Sequence, residues 1–162
     1  MQTFSSMRRN STDKNPIVFF FVSAFLLIAQ ILSSLYPWIP SFAGFFFAYA
    51  LLSIKQEVQK VSLVIVFAYL SFYDVHQGFY LFSYLFLFIL AYQFGIYRVE
   101  QMTSCKKCIL FFYVSVGYLG HYALNGLLSY IANTPLPYFS SHYFYLIGFD
   151  TLLAFVFLKV MR

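Results

Sequence analysis

The sequence predicts an all-α integral membrane protein of six transmembrane helices, with both termini on the cytoplasmic side. Three observations predict it. The 162 residues are 62% hydrophobic and only 9% charged, whereas an ordinary soluble domain is about 25% charged. A helix needs about 20 apolar residues to cross a hydrocarbon core of about 30 Å, and apolar runs of that kind cover nearly the whole chain. The basic residues all fall into alternate connections between those runs, as the retention of Lys and Arg on the cytoplasmic side of short loops demands.

The elements follow in order. Residues 1–15 form a polar tail with Arg8, Arg9 and Lys14, and residues 16–162 form a single six-helix transmembrane domain. The first span, about 16–36, is too long for a signal-peptide core, and "SSLYPWIP" offers no small-x-small cleavage site, so it reads as an uncleaved anchor. Pro37 and Pro40 forbid a continuous helix and Trp38 suits the interface, which makes this a tight hairpin into the second span, about 38–54. Lys55 and Lys60 flank the next connection. The third span, about 59–73, is short: Val61 to Tyr73 gives about 20 Å of helix. Either Val58 to Lys60 lengthen it, with the lysine reaching to the interface, or the turn that follows lies below the outer surface.

That turn is Asp74-Val75-His76-Gln77-Gly78, an acid and an imidazole between two apolar runs. Gly78 supplies the helix break, and Asp74 is placed to cap the fourth helix, about 78–97. A buried turn of this kind can also line a binding site. Arg98, Lys106 and Lys107 follow the fourth span, the fifth covers about 108–131, and the sixth covers about 143–160 ahead of Arg162. All ten cations thereby fall on one side, and "YPWIP", "DVHQG" and "ANTPLPYFSSH" on the other contain none.

Polar residues inside the spans are the candidate sites. Asp150 lies near the middle of the last span, where an acid costs about 2.5 to 3.5 kcal/mol and needs a partner, water or a proton. His121 and Asn125 are four residues apart on the fifth span and share a face with Gly117, with Gly120 beside them. Small residues there let another helix approach closely, and the polar pair can bond across the contact. Two readings stay open: a polar pocket or proton path, or interhelical ties between the fifth and sixth spans.

Several function classes lose support. The net charge of +5 is spread over separate loops on one face, which gives nucleic acid no coherent surface. Anionic lipid headgroups are attracted instead. Cys105 and Cys108 form a CxxC without further zinc ligands nearby or a thioredoxin-like context, and read as a reduced cytosolic loop. His76, His142 and Asp74 have no metal-ligand spacing, and no nucleophile elbow, phosphate loop or dinucleotide glycine pattern occurs. The reading is therefore non-enzymatic, with no cofactor and no metal.

A family resemblance adds to this. An apolar hairpin beginning at Pro40, a short basic loop, then Asp74 and Gly78 in "FYDVHQGFYLFSYLF", with the polar-basic segment "YRVEQMTSCKKC" after the fourth span, resembles the MreD family of the bacterial rod-shape system. The match runs from about Pro40 to Cys108. Family members carry glycines along the third span, and Val61 to Tyr73 holds none, which makes this chain similar to a divergent member. The resemblance implies a scaffold of lateral wall elongation in the bacterial cytoplasmic membrane. It would bind an MreC-like partner and, through it, MreB filaments and the wall-synthesis polymerase and transpeptidase. It also implies a fold similar to the substrate-binding subunits of energy-coupling-factor transporters. The alternative function is such a subunit for a small, vitamin-type molecule, with Asp74, His121, Asn125 and Asp150 around a buried cavity.

Overall fold

The computed structural model describes residues 16–36, 39–55, 60–95, 98–99, 101 and 105–160, and helix is the only regular structure among them. The tail predicted at 1–15, the tip of the first hairpin at Pro37 and Trp38, and Arg162 lie outside the described residues. In chain order the helices are α1 (Pro16–Leu35), α2 (Ala43–Lys55), α3 (Lys60–His76), α4 (Ser83–Leu90), α5 (Lys106–Ser115), α6 (His121–Ala132) and α7 (His142–Val160). A π-helical turn, Ala91–Gly95, extends α4, and another, Val116–Gly120, joins α5 to α6 as one continuous rod. Among the described residues, a helical segment stands within each of the six apolar runs.

Three boundaries differ from expectation, and each moves a polar residue. The second helix begins at Ala43 rather than near residue 38, after a turn in which the Ile39 N–H donates to the Tyr36 carbonyl at 3.0 Å. The third runs on to His76, so Asp74 sits in its last turn and not in the connection. The fourth begins at Ser83 rather than 78, because Phe79 to Phe82 are apolar yet not helical. Hydropathy cannot separate an apolar extended stretch from an apolar helix.

Gly78 ends α3 as expected. At φ 73° it takes the left-handed conformation that a side chain disfavours. Its N–H donates to the Val75 carbonyl at 3.3 Å and the Phe79 N–H to the Asp74 carbonyl at 2.8 Å, the paired bonds of a Schellman motif. Phe79 then stacks on Tyr73, 6.3 Å between ring centroids, which supplies the apolar contact such motifs favour. Asn133 ends α6 in the same way, at φ 54°, with Thr134 N–H on the Ser129 carbonyl at 3.0 Å.

α2 lies at the centre, packed on α3, α5, the Val116–Gly120 turn and α7, whereas α1 lies outside against α3. Phe47, Leu51, Leu70, Tyr84, Val114 and Tyr118 are among the buried core. The contact of α2 with the rod is close because two glycines meet. A Cβ on Gly117 would stand 3.3 Å from Gly44 Cα, and one on Gly44 would stand 2.4 Å from a Tyr118 ring carbon. The glycine face expected on the fifth span is thus used, and α2 is the helix it admits.

Beside this apolar core, several polar groups are buried and many large apolar side chains are exposed. Asp74, Asp150, His121, Asn125 and Gln30 are buried, while Phe25, Ile28, Phe86, Leu127, Leu152 and Val156 are exposed. One helix among the described residues, Lys107–Ala132, is long and apolar enough to cross a membrane; Ala43–Ile54, Ser62–His76, Ser83–Gly95 and His142–Val156 are shorter apolar helices.

Candidate functional site

The polar residues gather into two groups, each built around a carboxylate at the start of a helix that cannot cap itself. The residue before α4 is Phe82 at φ 65°, and the residue before α2 is Phe42 at φ 55°. Neither phenylalanine has a side-chain acceptor for the free N–H groups of a first helical turn. Both starts are buried, with Ala43, Gly44, Ser83 and Tyr84 inside the bundle. Left alone, such donors would be costly. Asp74, on α3, accepts from the Tyr84 N–H of α4 through Oδ2 at 3.3 Å. Asp150, on α7, accepts from the Phe45 N–H of α2 through Oδ2 at 3.0 Å. Each carboxylate also faces the positive end of a helix macrodipole.

The Asp74 group is a closed network. Asp74 Oδ1 accepts from Ser83 Oγ at 2.9 Å and lies 2.8 Å from His121 Nε2. Ser83 Oγ accepts from Asn125 Nδ2 at 3.1 Å, and that same amide nitrogen donates to the His121 carbonyl at 2.9 Å. Asn125 Oδ1 accepts from the Tyr80 N–H at 3.1 Å, which fixes the irregular stretch before α4. The pattern closes when His121 carries its proton on Nε2, since Asn125 then spends both amide hydrogens on oxygen. Aromatic rings hold the imidazole: Tyr84 stacks on it at 3.8 Å and 11°, and Phe79 meets it edge-on at 4.7 Å. Asp74 and Asp150 are fully buried, and Asn125 and His121 are 1% and 2% exposed.

This arrangement is not a nucleophile relay. A Ser-His-Asp relay needs serine and aspartate on opposite ring nitrogens. Here both approach Nε2, and the Ser83 proton points to Asp74. What the network does is join α3, α4 and α6.

The Asp150 group joins α7, α2 and the rod. Tyr118 donates to Asp150 Oδ2 at 2.7 Å and lies 3.1 Å from Ser41 Oγ. Tyr69 of α3 donates to Gln30 Oε1 of α1 at 2.8 Å and also contacts the Ser41 carbonyl. Ser41 is therefore held through both its hydroxyl and its backbone.

Of the residues singled out from sequence, Asp74, His121 and Asn125 come together and Asp150 stands in the other group. Of the interhelical ties expected between the fifth and sixth segments, the Tyr118–Asp150 bond is one, whereas the other bonds run elsewhere. His121 and Asn125 bond to the third and fourth segments, and Asp150 bonds to the second and to Tyr118. Gly78 is exposed and shapes the end of α3; Pro40 is half-buried ahead of α2. The reading of Asp74 as the cap of the fourth helix agrees with the Tyr84 bond. Sequence reasoning missed Ser83 and Tyr118. Nothing distinguishes either among the many serines and 15 tyrosines.

None of these four residues lines the cleft of about 280 Å³ at the end of the bundle, which Ser33, Ser41, Gln77, Ser140 and His142 line instead. His76, His142 and Asp74 do not converge, and among the described residues no three His, Cys, Asp or Glu side chains gather in a metal-binding group. Cys105 and Cys108 are free and exposed. Cys105 Sγ accepts the Cys108 N–H at 3.3 Å as the cap of α5, and a hydrogen bond from the Cys108 side chain holds the Cys105 thiol below its ordinary pKa.

Compared with protein-family models, curated proteins and solved structures, the chain matches none.

Proposed function

We propose that this chain is a multi-pass protein of the bacterial cytoplasmic membrane and acts there as a non-enzymatic scaffold. The observation that carries this reading is the burial pattern: Asp74, Asp150, His121, Asn125 and Gln30 inside, and large apolar side chains outside on α1, α4, α6 and α7. Water would penalise such a surface, and lipid would not. Six crossings with every cation on one face follow from the alternation of basic and cation-free connections. The scaffold part rests on how the polar groups are used. Of the two readings left open for the polar side chains, a pocket or interhelical ties, their bonds favour the ties, which supports a role in shape and contact. With the Pro40 to Cys108 resemblance, this supports a role of the MreD kind in lateral wall elongation, bound to an MreC-like partner and through it to MreB and the wall-synthesis enzymes.

Affinity purification of the full chain from gently solubilised membranes, with mass spectrometry of both proteins and small molecules, tests this. The proposal expects an MreC-like membrane protein in stoichiometric amount. Co-purification of an ATPase module with a vitamin-type molecule, and no such partner, would replace the scaffold by the transporter subunit.

A further inference from the structure

We propose that the cleft at the end of the bundle binds a neutral, polyhydroxylated small molecule of monosaccharide to disaccharide size. This goes beyond the scaffold reading and uses none of the residues that tie α4 to α3 and α6.

The ends of four elements form the cleft. Ser33 comes from the last turn of α1, Ser41 from the approach to α2, Gln77 from the end of α3, and His142, Tyr143 and Leu146 from the first turns of α7. The connection between α6 and α7 closes one side with Tyr138 and Ser140. Short helices create the space. α2 has 13 residues, about 20 Å, beside the 26-residue rod of about 39 Å, so the bundle is one helix poorer beyond the α2 start.

The walls are held before any ligand arrives, which lowers the ordering cost of binding. Ser41 is fixed by Tyr118 and Tyr69. The closing connection is tied at both ends, by Tyr80 Oη to Thr134 Oγ1 at 2.6 Å and by Tyr122 Oη donating to the Pro137 carbonyl at 3.1 Å. Pro135 and Pro137 restrict it further.

The chemistry of the lining selects the ligand. Among the described residues it holds no Lys, Arg, Asp or Glu. An ion entering it would lose hydration without gaining a counter-charge, so a neutral ligand is favoured. Three serine hydroxyls and the Gln77 amide both donate and accept, as the hydroxyls of a polyol do. Tyr73, Tyr138 and Tyr143 add aromatic surface to the lining, against which the apolar flank of a sugar ring can pack. The volume, about 280 Å³, suits one or two rings.

The test is calorimetric titration of the full-length protein in nanodiscs of zwitterionic lipid. The probes are a panel of uncharged mono- and disaccharides, the matching uronic acids and the matching amino sugars. We expect saturable binding of at least one uncharged probe, with its charged counterparts weaker by about tenfold or more. Tyr138→Ala and Ser140→Ala, both on the surface connection, should weaken it about tenfold with the melting temperature unchanged. No saturable binding of any uncharged probe at concentrations of about 10 mM would overturn the proposal. So would equal binding of the charged counterparts, or wild-type affinity in both variants. Partner recovery in the same variants separates this outcome from failure of the scaffold reading.

Discussion

Asp74 receives a backbone N–H, a serine hydroxyl and an imidazole within 3.3 Å while fully buried. Removing the carboxylate strands all three donors, and the cost of stranding buried groups exceeds what the bonds contribute when intact. Asp74→Ala should therefore destabilise the bundle by about 3 kcal/mol or more. Asp74→Asn keeps one carbonyl acceptor and should lose distinctly less. Unfolding by denaturing detergent, followed by circular dichroism, measures both; an Asp74→Ala protein as stable as wild type would remove the network from the account. The importance of Asp74, His121, Asn125 and Asp150 was legible in the sequence because polar groups are costly in an apolar run. Their partners were not. His121 could have bonded any adjoining helix, and only the packing of α3 and α4 beside α6 decides that it meets Asp74 and Ser83.

The element scale is set by two short helices, α2 and α4, that start inside the bundle behind a left-handed phenylalanine. Both starts depend on a carboxylate from another helix, so neither helix is capped by its own sequence. Their beginnings were not legible because hydropathy and the Pro and Gly breakers put them near 38 and 78, whereas Phe42 and Phe79 to Phe82 are apolar and not helical. The break at Gly78 was legible because glycine carries its own signal, although α3 runs past the expected end near Tyr73 to His76. Close approach distinguishes the glycines. A Cβ at Gly44 would lie 2.4 Å and 2.8 Å from Tyr118 ring carbons and 3.0 Å from Val114 Cγ1. Tyr118 cannot swing away without leaving Asp150 and Ser41. Gly44→Ala should cost about 1–3 kcal/mol through overpacking. In contrast, Cβ atoms at Gly126 and Gly148 would meet nothing within 4 Å, so alanine there should be neutral or stabilising by up to about 1 kcal/mol. Thermal melts of the three purified variants check the ordering, and equal stability of Gly44→Ala and Gly126→Ala would contradict the packing.

For the whole molecule, buried Asp74 and Asp150 together with exposed apolar side chains such as Phe86, Leu152 and Val156 fit the proposed bilayer environment. Composition alone raised that reading before any helix was placed. The helix lengths were less legible, because apolar composition alone carries no signal that separates a 13-residue α2 from a 26-residue rod. In the proposed arrangement the cations mark the cytoplasmic face and the connection between α6 and α7 marks the outer one. Substituted-cysteine labelling of intact cells tests this most directly, in a background with Cys105 and Cys108 changed to serine. A membrane-impermeant maleimide should modify Tyr138→Cys in intact cells, and Lys55→Cys and Lys106→Cys only after permeabilisation. Modification of Lys106→Cys from outside, with Tyr138→Cys protected, would contradict the account.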